Sequence, residues 1–172
     1  EFNDYDYLYS SRTVIKNQYI MKASEKNGNV YHKGFYNFDI WGEAFNVLKP
    51  HMIKGMMIYA EIVGYLPNNN YIQKGYDYGC VPLKSGEEYT YGKHFKIMIY
   101  RITLTNVDGD VHEFSPREVQ VWCIQHELTP VIEYYYGKAK DLYPELDITN
   151  HWHENFWNKM SSDKNFYMEM LS

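Results

Sequence analysis

Alternating hydrophobic and polar positions form the most regular pattern in the chain, and they predict β-strands. The longest run is FKIMIYRITLTNV at 95–107. One face of that strand is expected to carry Met98, Tyr100, Ile102 and Leu104. The pair Asp108-Gly109 follows directly and predicts a hairpin turn into DVHEF. Shorter runs predict further strands at 12–20, 55–66 and 130–137.

Apolar residues at helical spacing, together with capping signals, predict three helices. The first spans 39–48 and is expected to end before Pro50. Ser115, Pro116 and Glu118 form a capping-box pattern that predicts the start of a second helix. A third capped helix is predicted over 149–160. Because strands and helices do not alternate regularly, we expect an α+β fold of mainly antiparallel sheets flanked by helices, in one domain over 1–172.

Composition limits the class of protein. The mean hydropathy is -0.58, and no apolar run approaches the roughly 18 residues of a membrane span, so we expect a soluble protein with no membrane partner. Two cysteines, Cys80 and Cys123, suit a reducing cytoplasm, and we expect Cys123 in the core. The net charge of -5 argues against a module that simply coats nucleic acid. Lysines in a solvated loop are the commoner interpretation, but a local basic groove remains open as an alternative. Its candidate residues are Lys16, Lys22, Lys26 and Lys33.

The stretch MMIYAEIVGY at 56–65 places one carboxylate, Glu61, in the middle of an apolar strand. A buried carboxylate is costly unless it is paired. Either a Lys or Arg from a neighbouring strand pairs with Glu61, or Glu61 accepts hydrogen bonds from ligand hydroxyls. Gly64 would let a ligand or another backbone segment approach closely. Glu61 is expected to share its face with Met57, Tyr59, Val63 and Tyr65.

Other chemistry-bearing residues have weaker spacing signals. His151 and His153 are two apart, whereas metal-binding pairs on a helix are usually three or four apart, so a metal role is disfavoured. Lys138 and Lys140 would clamp phosphates on a strand but are solvated charges in a helix, which is the favoured interpretation. Arg12, at the start of a predicted strand, could bind a phosphate or lie on the surface.

Taken in order, several segments resemble the nucleotidyltransferase domain of ATP-dependent RNA ligases, whose superfamily includes DNA ligases and mRNA capping enzymes. SSRTV resembles a motif whose Arg contacts the nucleotide and the nucleic-acid end. IYAEIVGY resembles the motif whose Glu binds the ribose hydroxyls. IMIYRITLTNVDGDV is similar to the strand whose aromatic residue stacks on the purine, followed by a hairpin, and IQKGYDYG adds to the resemblance.

The resemblance implies an enzyme that uses ATP and Mg²⁺ to join RNA 5′-phosphate and 3′-hydroxyl ends through a lysyl-AMP, as in RNA repair. It implies that Arg12 contacts a phosphate or the 3′ end, Glu61 the ribose, and Tyr100 the base. Where the family has Asp after that aromatic, this chain has Arg101. The resemblance also suggests candidate nucleic-acid contacts, namely Ser11, Arg12, Lys16 and Lys74.

The family's nucleophile is the lysine of a Lys-x-(Asp/His/Asn)-Gly motif, and no such motif occurs in this sequence. The downstream Glu-Gly and Lys-x-Lys elements are missing as well. We therefore expect the central part of a ligase domain, which alone does not self-adenylate. Two alternatives remain open: a non-catalytic nucleotide- or nucleic-acid-binding module on the same scaffold, and an ordinary α+β domain in which the similarity is coincidental.

Overall fold

The computed structural model describes residues 7–12, 38–133, 135–146 and 150–162. The chain divides into two compact units, Glu1–Val131 and Ile132–Ser172. The predicted strand at 12–20 lies outside the described residues except for Arg12, as do Lys16, Lys22, Lys26 and Lys33. None of the helices in the described ranges is long and apolar enough to cross a membrane.

The first unit is built on a four-stranded, mainly antiparallel sheet. Strands β1 (Met56–Gly64) and β2 (Phe95–Thr105) pair antiparallel along their whole length. The hairpin turn leads into β3 (Val111–Glu113), which pairs with the end of β2. The short strand β4 (Thr129–Pro130) pairs parallel with β2 at Met98 and Ile99. The predicted α+β class with an antiparallel sheet is therefore confirmed.

A β-bulge interrupts the β1–β2 pair at Tyr100. Tyr59 lies opposite Arg101 and the next residue, Ala60, lies opposite Ile99, so Tyr100 has no cross-strand partner. The extra residue resets the alternation of the strand, because a one-residue shift moves every following side chain to the other face. Ile99 and Ile102 are both fully buried, although they are three residues apart. The prediction that Met98 and Tyr100 share a face with Ile102 and Leu104 is thus wrong.

Two helices cover the inner face of this sheet. Helix α1 (Ile40–Leu48) starts at Asp39, whose carboxylate accepts a hydrogen bond from the Gly42 N–H at 3.0 Å. It is followed by a 3-10 helix, Lys49–His51, and helix α2 (Pro116–Gln125) starts at the predicted Ser115 capping box. The core combines β2 with both helices, and its fully buried members include Ile40, Ile97, Ile99, Ile102 and Cys123.

The second unit contains helices α3 (Ala139–Leu142) and α4 (Trp152–Ser162). Helix α4 confirms the predicted third helix, although it begins a few residues later. Among the described residues of the predicted strand at 130–137, the strand does not continue beyond Pro130, and Val131 N–H donates to Ile99 O of β2 at 2.9 Å. The next apolar residues of the run that the structure describes are exposed: Ile132, Tyr135 and Tyr136. High strand propensity does not by itself produce a strand, because it reflects how well a side chain fits a pleated, half-buried surface.

Candidate functional site

The solvent-facing side of the β1–β2 pair carries the two ligand-binding residues that the resemblance assigns to these strands. We call it the outer face, and it carries Tyr59, Glu61, Tyr100 and Arg101. Glu61 alternates with the core-packed Ala60 and Ile62. Tyr100 is 49% exposed at the bulge. Glu61 and Tyr100 are thus both exposed on neighbouring strands, whereas Met98, the residue opposite Glu61, is buried.

Glu61 is exposed, so burial imposes no cost on its charge. Its cross-strand neighbour is Met98, and its carboxylate accepts a hydrogen bond from Gln73 Nε2 at 2.9 Å. Within the described residues, no lysine or arginine forms an ion pair with Glu61. The ion-pair interpretation therefore has no support there. The ligand interpretation stays a prediction, with a carboxylate that solvent can reach.

The bulge determines the position of Tyr100. Glu61 pairs with Met98, two residues before Tyr100, so Glu61 and Tyr100 are diagonal neighbours. In a regular antiparallel pair, diagonal neighbours on one face lie about 7–8 Å apart, and the bulge at Tyr100 departs from that regular spacing. The Tyr100 ring lies 6.4 Å from the Tyr59 ring, centroid to centroid, with a 44° tilt. Two aromatic rings therefore stand side by side on the outer face.

Arg101 occupies the position where the family has Asp, and here it is a structural cation. Its guanidinium donates two hydrogen bonds to Glu113 of β3, at 2.9 and 2.8 Å. It also lies over the Tyr59 ring, 4.7 Å from the centroid. Hydrogen bonding from Arg101 lowers the pKa of Glu113 below its ordinary value. Arg101 thus joins β1 to β3 across β2 and borders the outer face near Tyr100.

The loop 71–80 borders the outer face near Glu61. Besides Gln73, it is held by Lys96, whose Nζ donates to Tyr78 O at 2.8 Å. The rings of Tyr65 and Tyr71 pack 4.7 Å apart at the start of the loop. Lys74 is exposed next to Gln73. The loop therefore brings the Gln73 amide to the Glu61 end of the face.

Gly64 lets another segment of the chain pack closely against β1, which is one of the two roles that its sequence position suggests. Its φ is +102°, and a Cβ placed there would lie 2.5 Å from His94 O and 2.8 Å from Cys80 Sγ. Both neighbours belong to this chain, so the close approach is filled by protein.

Arg12 and Ser11 lie on a segment that packs against α1. The Tyr9 ring stacks on Phe45 of α1 at 4.8 Å with a 19° interplanar angle, and Tyr9 Oη lies 3.4 Å from Asp39 Oδ2. Arg12 is exposed. No contact among the described residues joins Arg12 to Glu61 or Tyr100. The structure thus brings together two of the three predicted nucleotide-binding residues.

The remaining candidates of the second unit have ordinary positions. Lys138 precedes α3 and Lys140 lies within it, and both are exposed. This agrees with the predicted solvated role. His151 precedes α4 with a φ of 45°, and His153 lies in its first turn. Within the described residues, no three or more His, Cys, Asp or Glu side chains are grouped as metal ligands.

Mg²⁺ is usually bound through one or two carboxylates together with substrate phosphates. On the outer face, Glu61 is the carboxylate that no cation neutralises among the described residues, since Glu113 is paired with Arg101. One carboxylate fits a Mg²⁺ that arrives with a nucleotide and does not fit a cage made by protein alone.

Sequence reasoning missed Tyr59, Gln73 and the structural role of Arg101. Tyr59 was placed on the Glu61 face, but without a ligand role, because its proximity to Tyr100 depends on the bulge. Gln73 lies twelve positions after Glu61, and a turn and a loop intervene, so no periodic signal connects the two.

No protein-family model matches the chain, and neither a curated protein nor a solved structure matches it.

Proposed function

We propose that the outer face binds a nucleotide, as the nucleotidyltransferase domain of an RNA ligase does. Tyr100 stacks on the base and Glu61 accepts hydrogen bonds from the ribose hydroxyls. In the intact enzyme the nucleotide is ATP, bound with Mg²⁺, and the reaction joins RNA 5′-phosphate and 3′-hydroxyl ends through a lysyl-AMP. The observation that supports this proposal is that Glu61 and Tyr100 are both exposed on the paired strands β1 and β2.

The chemistry of the two side chains suits the two halves of a nucleoside. A carboxylate is an acceptor for two vicinal hydroxyls, and charge-assisted bonds are stronger than neutral ones. A tyrosine ring offers a flat stacking surface to any base. Gln73 donates to Glu61 in the ligand-free arrangement. Ribose hydroxyls replace this donor or bind the second carboxylate oxygen.

The phosphate end of the nucleotide lies toward cationic groups. Lys96 pairs with Val63, two residues after Glu61, and Lys74 is exposed next to Gln73, which donates to Glu61. Arg12 is the phosphate contact that the resemblance implies, and it would have to approach from the segment that packs on α1. A net charge of -5 is more compatible with binding a nucleotide or an RNA end than with coating a long nucleic acid.

A non-catalytic module on the same scaffold is the second candidate. The absence of a Lys-x-(Asp/His/Asn)-Gly motif from this sequence favours it. Both candidates require nucleotide binding and differ in covalent chemistry. Incubation of the chain with α-labelled ATP and Mg²⁺ separates them: a stable AMP adduct that acid releases from a lysine supports the ligase reaction in this chain. Binding without an adduct supports the module.

The ribose contact is tested by changing the protein and the ligand together. Calorimetric titration compares ATP with 2′,3′-dideoxy-ATP on the unmodified chain and on Glu61→Ala. We expect the unmodified chain to prefer ATP by about 10- to 100-fold, which corresponds to hydrogen bonds with a charged acceptor. The Glu61→Ala variant should bind both nucleotides equally. An ATP preference that survives in the variant would exclude Glu61 as the ribose contact.

The stacking contact is tested with a paired substitution. Tyr100→Phe keeps the ring and should bind ATP as the unmodified chain does, whereas Tyr100→Leu should weaken binding by about 5- to 100-fold. Matched controls are Glu88→Ala, an exposed carboxylate elsewhere, and Tyr136→Leu, an exposed tyrosine in the second unit. Equal losses in Tyr100→Phe and Tyr100→Leu would show that stacking does not hold the base.

A further inference from the structure

Two imidazoles from distant parts of the sequence meet beside the core of the first unit. His51 ends the 3-10 helix, and His126 is the residue that caps the C-terminus of α2. Their Nδ1 atoms are 3.2 Å apart, although 75 positions separate them in sequence. Both side chains are half-buried.

The separation of the two nitrogens matches the spacing of two ligands on one metal ion. With metal–nitrogen bonds of about 2.0–2.1 Å, two nitrogens 3.2 Å apart subtend about 100–105° at the ion. The tetrahedral angle is about 109°. We propose that His51 and His126 form a binding site for a divalent first-row transition ion such as Zn²⁺ or Cu²⁺.

The surroundings of His126 favour a cation. The last carbonyls of a helix carry a partial negative charge, and His126 lies at that end of α2. Its backbone N–H donates to Trp122 O and Cys123 O, both at 3.2 Å. Its ring packs against the Trp122 indole, 4.5 Å between centroids. These contacts hold the imidazole in place and leave its Nδ1 directed at His51.

In the metal-free protein, one hydrogen bond between the two Nδ1 atoms explains their close approach. Of two neutral imidazoles, one carries its proton on Nδ1 and donates to the other. When the ion binds, that proton moves to Nε2 of the same ring, so both Nδ1 lone pairs point to the metal. Binding requires a free Nδ1 lone pair on each ring.

The site supplies two protein ligands, since no group of three or more metal-binding side chains occurs among the described residues. Water or an external anion completes the coordination. Imidazole nitrogen selects Zn²⁺, Cu²⁺ and Ni²⁺ over Mg²⁺ or Ca²⁺. The site is therefore independent of the Mg²⁺ that would accompany a nucleotide on the outer face.

The experiment uses the full chain without a histidine tag. Zn²⁺ is titrated by calorimetry, and one equivalent of Cu²⁺ is examined by electron paramagnetic resonance. The variants are His51→Gln, His126→Gln and the double variant, because glutamine keeps a hydrogen-bonding group of similar length. Controls are His112→Gln, an exposed imidazole 3.6 Å from Glu118, and the pair His151→Gln/His153→Gln. Far-UV circular dichroism checks that each variant is folded.

We expect one equivalent of Zn²⁺ to bind the unmodified chain, and either single variant to lose about tenfold or more in affinity, because the second bond of a chelate forms at high effective concentration. The double variant should bind at least as weakly as either single variant, and the controls should match the unmodified chain. The Cu²⁺ spectrum should show coupling to two nitrogens. Unchanged binding in folded His51→Gln and His126→Gln, or an equal loss in the controls, would overturn the proposal.

Discussion

Gly64 provides a direct test of how the end of β1 is packed. A Cβ at this position would lie 2.5 Å from His94 O, and that carbonyl is held in place because it accepts a hydrogen bond from Tyr65 N at 2.8 Å. The φ of +102° is also unfavourable for any L-residue. Gly64→Ala should therefore combine backbone strain with a collision that the backbone cannot relieve without moving.

Gly75 offers a matched control. Its φ is +89°, but a Cβ there would meet nothing within 4 Å. Gly75→Ala should lose about 1 kcal/mol of unfolding free energy, from the positive φ alone. Gly64→Ala should lose this amount and about 1–3 kcal/mol more from overpacking, a total of about 2–4 kcal/mol.

Urea denaturation followed by tyrosine and tryptophan fluorescence measures both losses, compared at a common denaturant slope. The difference between the two variants isolates the collision at Gly64. Equal losses, within about 0.5 kcal/mol, would refute the close approach of His94 and Cys80. A loss of nucleotide binding in Gly64→Ala without a loss of stability would instead assign Gly64 to ligand contact.

Three further predictions concern the first unit. Ser115→Ala should cost about 1 kcal/mol in urea denaturation, because it removes the side chain that caps α2; an unchanged midpoint would contradict the cap. Hydrogen bonding from Lys93 lowers the pKa of Glu87 to about 2, so the stabilisation from ionised Glu87 is present above pH 4.5 and is lost as the pH falls toward 2. In Glu87→Gln, the urea midpoint of unfolding should therefore fall less steeply between pH 4.5 and pH 2 than in the unmodified chain, and an equally steep fall would refute this. Burial raises the pKa of Cys123 to about 11 and also raises that of Cys80, so a thiol reagent at pH 8 should label neither until urea unfolds the chain; rapid labelling of the native protein would contradict their burial.

The outer face connects the fold with the proposed activity. The bulge removes Tyr100 from the strand pairing and leaves its ring exposed beside Tyr59. Bulges recur next to functional sites because they redirect a side chain without breaking the sheet. Here the bulge exposes an aromatic ring on the strand that pairs with the Glu61 strand, and the proposed nucleoside site uses both residues.

Elements that depend on neighbours in sequence could be predicted from the sequence. The start of α2 follows from the Ser115–Glu118 capping box, whose hydrogen bonds lie within three residues. Helix α1 follows from its apolar spacing and from Asp39 at its start. Strands β1 and β2 and the turn at Gly109 follow from alternation and a hairpin dipeptide. In each case the stabilising contact is local or periodic.

The candidate site depended on contacts between distant positions. That Glu61 is exposed and bonded to Gln73, and that Arg101 pairs with Glu113, follows from strand order, register and the path of one loop. The bulge at Tyr100 could not be read from alternation, because FKIMIYRITLTNV is consistent with an unbroken strand.

The sequence by itself determined which residue types are available and which local elements form. The tertiary structure decided which of those residues share a surface: Glu61 with Tyr100 on the outer face, and His51 with His126 beside α2. The physical reason is that local hydrogen bonds and side-chain periodicity act over a few residues. Register, bulges and long-range pairs arise only when the whole core packs and selects one arrangement.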